Sequence, residues 1–150
     1  MNHRLALLPV AAALGAAACG GTAYSAASSH GANVAVRHTK LGNVLVDGRG
    51  RTLYLFEKDK GPASTCYGAC ASVWPPLTAA ARPVAGRGVA AGKLRTVKRR
   101  DGKLGVDYAG HPLYLYAGDT KPGDVKGQDL DQFGAKWYVL APSGRKVDDD

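Results

Sequence analysis

The sequence predicts an all-β domain made of two pseudo-equivalent antiparallel repeat units packed as a sandwich or partly closed barrel, and three observations carry that prediction. Residues 42–59 match residues 102–119 at a constant offset of 60, with eight of the 18 positions identical: Gly42/Gly102, Val46/Val106, Asp47/Asp107, Gly50/Gly110, Leu53/Leu113, Tyr54/Tyr114, Leu55/Leu115 and Asp59/Asp119. About one coincidence is expected over such a length at ordinary residue frequencies. Within each copy, apolar residues follow the period of two that strands require. The 20 glycines and 8 prolines, set against only 7% aromatic residues, suit short elements joined by tight turns rather than long helices. A chain of 150 residues that is 45% hydrophobic and 21% charged is long enough for one domain with its own core and is not of disordered composition.

The elements follow in chain order. Met1 to Arg4 form a short positive region, Leu5 to Ala18 a small-residue apolar run, and Cys19 comes next. Residues 1–18 read as a signal peptide, because crossing a bilayer takes about 18 or more apolar residues. Two endings fit it: cleavage at the Ala-rich site, or lipidation of Cys19 as the first residue of a lipoprotein. The segment Leu14-Gly-Ala-Ala-Ala-Cys19-Gly20 resembles a bacterial lipobox, with Ala16 where that motif prefers Leu. A diacylglyceryl group would supply two acyl chains, enough for stable anchoring. Residues 19–40, rich in Gly, Ala and Ser, read as a flexible tether.

A single domain is expected over 41–145, with repeats at 41–77 and 102–141 and a connector at 78–101 that holds a short helix or nothing regular over 78–92. In the first repeat, Asn43–Asp47 and Thr52–Phe56 flank the glycine-bearing connection Gly48–Arg51, a length that hairpins use. The second repeat gives Leu104–Tyr108, Ala109-Gly110 and Pro112–Tyr116, and a third strand, Lys136–Ala141, ends at Pro142-Ser143-Gly144. Residues 143–150 close on three aspartates and are expected to fray. Leu53 and Leu55 share one strand face and Tyr54 and Phe56 the other, as do Leu113/Leu115 against Tyr114/Tyr116. Two apolar faces predict strands covered on both sides.

Charge and cysteines narrow the function classes. The net charge of +8 favours anionic partners, and because residues 1–18 carry only Arg4 the exported part keeps nearly all of it. Export removes nucleic acid from consideration and leaves anionic envelope polymers or lipids, with the membrane reached through the lipid anchor. Of three cysteines, lipid on Cys19 leaves Cys66 and Cys70 as a pair, which an oxidising compartment would join as a disulfide worth roughly 2 kcal/mol. The bridge needs a turn, since helical residues four apart hold their Cβ atoms too far apart. An alternative is a copper site in which Cys66, Cys70 and His111 hold Cu(I) as soft ligands. The spacing is similar to that of the copper chaperones of cytochrome oxidase assembly, which carry proline after the second cysteine where Ala71 stands here.

The spacing YxxxxD occurs twice, as Tyr54/Asp59 and Tyr114/Asp119. A tyrosine beside a carboxylate suits ligand binding or proton transfer, but each aspartate also precedes a turn-forming run, Lys60-Gly61-Pro62 or Thr120 to Asp124, where it would bond nearby amides. The turn role is the better reading. No serine–histidine nucleophile motif is present, and His111 stands where the first copy has Arg51. Asp124, Asp129 and Asp131 lack the residue order of a calcium loop and read as solvated acids. Lys93, Arg95, Lys98, Arg99, Arg100 and Lys103 alternate partly with Leu94 and Val97, as a strand with one wet face would.

Several motifs in one order resemble the bacterial secreted or lipoprotein repeat family marked by Yx(F/W/Y)xxD: Gly50 to Asp59, the CxxxC pair, Trp74-Pro-Pro-Leu77, Gly110 to Tyr116, Pro122-Gly-Asp124 and Gly134-Ala-Lys-Trp-Tyr138. The resemblance covers roughly residues 41–145 and implies an exported protein of unknown function, with no catalytic residues to carry over. Together these readings anticipate a non-enzymatic cell-envelope binding or structural module without a cofactor, the copper or redox role of Cys66 and Cys70 being the alternative.

Overall fold

The computed structural model describes residues 32–148, so the signal peptide, Cys19, the front of the tether and the last two aspartates lie outside the described residues. Three small three-stranded sheets account for most of the regular structure, with strand orders β2-β1-β4, β3-β9-β8 and β5-β6-β7, and no barrel closes. The first hairpin is β1 (Asn33–Thr39) and β2 (Gly42–Asp47), with β4 (Val84–Ala85) added parallel to β1. Its counterpart is β5 (Leu94–Lys98) and β6 (Leu104–Tyr108), closed by β7 (His111–Pro112). Between the hairpins, β3 (Tyr54–Phe56) pairs with β9 (Ala135–Val139), which pairs with β8 (Leu130–Gln132). One short helix, α1 (Ala69–Val73), interrupts the pattern, and a 3-10 turn spans Ala91–Lys93.

The duplication is longer than identity reveals. Residues 33–39, expected as tether, form β1, and 94–98, expected as connector, form β5; the two strands sit at the same offset of 60 yet share no identical residue between 33 and 39. β5 is an edge strand and β1 lies between β2 and β4, but each is mostly solvent-facing with only its inward positions constrained, so Val34 and Leu94 are buried while their neighbours diverge.

An approximate two-fold relation passes between Tyr54 and Tyr114. These equivalent residues exchange both backbone hydrogen bonds, Tyr54 N to Tyr114 O at 2.9 Å and Tyr114 N to Tyr54 O at 3.0 Å, as a directly opposed antiparallel pair does. Around them the copies swap partners. The closing strand of the second repeat, β9, pairs with β3 of the first, and Pro75–Leu77 of the first repeat lies along Leu113–Leu115 of the second through Leu77 N to Leu113 O (2.9 Å) and Leu115 N to Pro75 O (2.8 Å). Pro75 and Pro76 have no amide proton to give, so this side forms an isolated bridge at Pro76–Tyr114 rather than a strand.

The strand alternation sorts the core into two layers as the sequence implies. Leu53, Leu55 and Leu113 join Val34, Leu45, Tyr108 and Leu140 in one, and Tyr54, Phe56 and Tyr114 join Val44, Trp74, Trp137 and Val139 in the other. The second layer contains a column of four rings. Phe56 stacks on Trp137 at 3.9 Å, Trp137 on Trp74 at 4.0 Å, and Trp74 on Tyr116 at 4.3 Å, so each repeat's Phe56 or Tyr116 rests on the other repeat's tryptophan. Tyr54 and Tyr114 meet the column edge-on, at 5.3 Å from Trp74 and 5.1 Å from Trp137, the geometry in which ring quadrupoles attract. Gln132 ties both indoles down, its side-chain oxygen accepting from Trp74 Nε1 (2.9 Å) and its carbonyl from Trp137 Nε1 (3.0 Å).

Gly127 lies flat against this layer. A Cβ there would stand 2.7 Å from Trp74 and 2.8 Å from Tyr54, so Gly127→Ala should destabilise the fold by about 1–3 kcal/mol through overpacking. Gly61→Ala, which meets nothing within 4 Å, should change stability by less than about 0.5 kcal/mol. Urea unfolding followed by tryptophan fluorescence measures both; equal effects would show that the layer is not packed as described.

Candidate functional site

The motif residues do not pair within a repeat. Tyr54 donates to Asp119 Oδ2 at 2.6 Å and Tyr114 donates to Asp59 Oδ2 at 2.5 Å, each phenol reaching the aspartate of the other copy. The remaining carboxylate oxygens fill the turn role read from the sequence: Asp59 Oδ1 accepts from Thr65 N (2.8 Å) and Thr65 Oγ1 (2.6 Å), and Asp119 Oδ1 accepts from Lys126 N (3.0 Å). Tyr54 also accepts from Gly127 N at 3.2 Å, and Tyr114 shares a 2.7 Å contact with Ser64 Oγ. Both phenols are fully buried. Burial, reinforced by the carboxylate that each one faces, pushes them far above the ordinary tyrosine range. Burial likewise pushes Asp119 upward. A phenol that stays protonated and donates to a fixed carboxylate is a strut.

Cys66 and Cys70 form a disulfide with Cα atoms 5.3 Å apart. The expected turn is at Gly68, whose φ of 58° lies in the left-handed region that glycine tolerates; Cys66 stays outside α1 and Cys70 falls in its first turn. Because the sulfurs are bonded to each other, neither is a thiolate available to copper while the bridge is intact. No group of three or more His, Cys, Asp or Glu side chains is placed to hold a metal among the described residues. The acidic residues considered for calcium are engaged locally: Asp124 accepts from Thr120 N and Lys121 N, and Asp129 pairs with Lys136 at 2.7 Å.

The basic cluster divides. Arg99, read as part of a wet face, is buried. Its guanidinium bonds Cys66 O and Ser64 Oγ, both at 3.0 Å, and Asp101 at 3.1 Å, so it clamps the disulfide loop to the β5–β6 hairpin. The Tyr67 ring covers it at 4.4 Å and covers Arg100 at 4.2 Å. Lys93, Arg95, Lys98, Arg100 and Lys103 are exposed as expected. Beside β5 runs a groove of about 470 Å³ with Leu94 and Leu104 on its floor and Arg82 and Arg95 at its sides, and no carboxylate lines it among the described residues. Leu104 and, next to Pro83, Val84 are among the few exposed large apolar residues. Arg82 and Val84 are absent from the sequence reading because no periodic pattern surrounds them; Arg82 lines the groove and Val84 is exposed next to it in the chain.

One buried group has no structural role. Asp47 is fully engaged, by Arg49 N and Arg51 N at 2.9 Å and by the Arg51 guanidinium at 2.7 Å, whereas its equivalent Asp107 is buried with Oδ2 unpartnered. Burial, with Asp59 nearby, raises its pKa from 3.8 to about 7. The folded state therefore binds this proton more tightly than the unfolded chain does. The stability it supports is full below about pH 4 and is lost progressively as pH rises to about 7. Asp107→Asn should accordingly be more stable than the parent at pH 8, with the gain shrinking towards pH 4; a difference independent of pH in urea titrations would contradict this assignment.

A family model described as a secreted repeat of unknown function matches residues 35–78 and 95–141, which are the two units that exchange partners across Tyr54 and Tyr114. No curated protein and no solved structure matches the chain. No helix among the described residues is long and apolar enough to cross a membrane. With more than half its length matched in two successive copies, the chain belongs to this family of secreted repeats of unknown function.

Proposed function

We propose that the protein is a non-enzymatic module of the cell envelope, exported by residues 1–18, held at the membrane by lipid on Cys19 and touching anionic phospholipid head groups through the β5 groove. The observation that carries this reading is the groove itself, an apolar floor of Leu94 and Leu104 between Arg82 and Arg95 with no carboxylate lining it among the described residues. Lipid surfaces offer phosphates over an apolar interior, and each cation near such a surface contributes about 1 kcal/mol. Exposed Val84 and Leu104 give the same face apolar side chains to set into the interface. A non-enzymatic role is supported by the buried, mutually bonded state of the duplicated tyrosines and aspartates.

The two attachments separate experimentally. Cys19→Ala should release the protein from the membrane fraction at high salt, where surface charge is screened, and unchanged partitioning would remove the anchor from the account. At low salt the Cys19→Ala chain should still sediment with phosphatidylglycerol-containing vesicles and not with phosphatidylcholine vesicles, and adding Arg82→Glu and Arg95→Glu should weaken that binding at least tenfold. Equal binding to both vesicles, or binding only to a phosphate-rich polymer, would refute the lipid contact.

A further inference from the structure

The duplication leaves two clefts at equivalent places, and the copies treat them differently. The first, of about 200 Å³, takes Arg51 from one repeat and Leu115, Tyr116 and Asp119 from the other. The second, of about 600 Å³, takes His111 from one repeat and Leu55, Phe56 and Asp59 from the other. All four pairs obey the offset of 60. In the first cleft the polar position is consumed internally, since Arg51 Nε and Nη2 lie 2.8 and 2.7 Å from Asp47 Oδ2. In the second, His111 is half-buried and its ring makes no hydrogen bond among the described residues. The second cleft also gains a wall, Gly144 to Asp148, where the first has Pro75.

The charges around the second cleft show what it lacks. The cleft holds three carboxylates and three cations, and Lys146 lies between two of the acids, Glu57 and Asp148, at 2.9 and 3.4 Å. Asp59 is occupied by Tyr114 and Thr65. Lys60 bonds only the carbonyl of Glu57, and Arg145 has no carboxylate partner among the described residues. The unmet capacity is therefore two cations and a histidine whose burial keeps it neutral, with one donor and one acceptor, next to the apolar edges of Leu55 and Phe56. Its volume is that of a small-molecule pocket.

We infer that the His111 cleft binds a small organic anion, with Arg145 and Lys60 on the acidic group, His111 hydrogen-bonded to it and the apolar body against Leu55 and Phe56. This site is independent of the lipid-facing groove. The probes are benzoate and phenyl phosphate, with benzylamine and benzyl alcohol as cationic and neutral counterparts, titrated into the isotopically labelled exported chain carrying Cys19→Ala. Saturable amide shifts confined to residues 55–60, 111 and 144–148 are expected with the anions alone. Arg145→Ala should weaken them at least tenfold, and His111→Ala, which removes the ring's hydrogen-bonding nitrogens, should weaken them while keeping the folded spectrum. Arg51→His, in the smaller cleft, should leave anion binding unchanged. Equal response to benzylamine, shifts spread over the surface, no saturation with either anion, or indifference to Arg145→Ala would overturn the assignment.

Discussion

Two crossed hydrogen bonds, the part-buried Tyr54 to Asp119 and the buried Tyr114 to Asp59, set the terms for the rest of this fold. Each links a phenol on a central strand of one repeat to a carboxylate at the loop entrance of the other, and a charge-assisted bond in a dry setting contributes about 1.5–3 kcal/mol. The same carboxylates hold the following loops by their second oxygen, through Thr65 and Lys126. Each repeat therefore holds its own turn but takes its tyrosine's acceptor and its tryptophan's stacking partner from the other. The unit that folds is the pair, which is the physical reason for the motif to occur twice in one chain.

That exchange makes sense of what was legible in the sequence and what was not. The alternation of Leu53, Tyr54, Leu55 and Phe56 foretold two apolar faces, and the two core layers divide along it. The disulfide was legible because three cysteines admit few arrangements once export is inferred. The pairing of Tyr54 with Asp119 was not, because YxxxxD spacing suggests a partner five residues away, whereas the real one is 65 away. The β1 strand was hidden by divergence, whereas the alternation around Leu94 and Val97 gave β5 a strand signal without showing it as part of the repeat. Arg99 was misjudged for a related reason: composition sees six basic residues, and only packing shows that one lies under Tyr67 against the disulfide loop.

With the scaffold common to both copies, individuality lies in the substitutions between them. Arg51 against His111, Glu57 against Ala117, a proline pair against a full strand, and a disulfide loop against the β8 connection are the places where one repeat departs from the other. Two of these positions, His111 and Glu57, line the second cleft, and away from it Asp107 keeps an unpartnered oxygen that lowers stability at neutral pH. Tolerated instability of this sort is common where function, rather than folding, has set the side chains. The β5 groove draws on other residues, so the proposed surface attachment and small-anion binding would be separable properties of one chain.

The central claim is that the repeats are joined by crossed Tyr–Asp bonds. A set of double-mutant cycles tests it most directly, combining Tyr54→Phe with Asp119→Asn, and separately with Asp59→Asn, and reading unfolding free energies. Coupling of about 0.5–3 kcal/mol is expected for the 54–119 pair, with near-additivity for 54–59. Coupling within the 54–59 motif and none across the repeats would contradict the account.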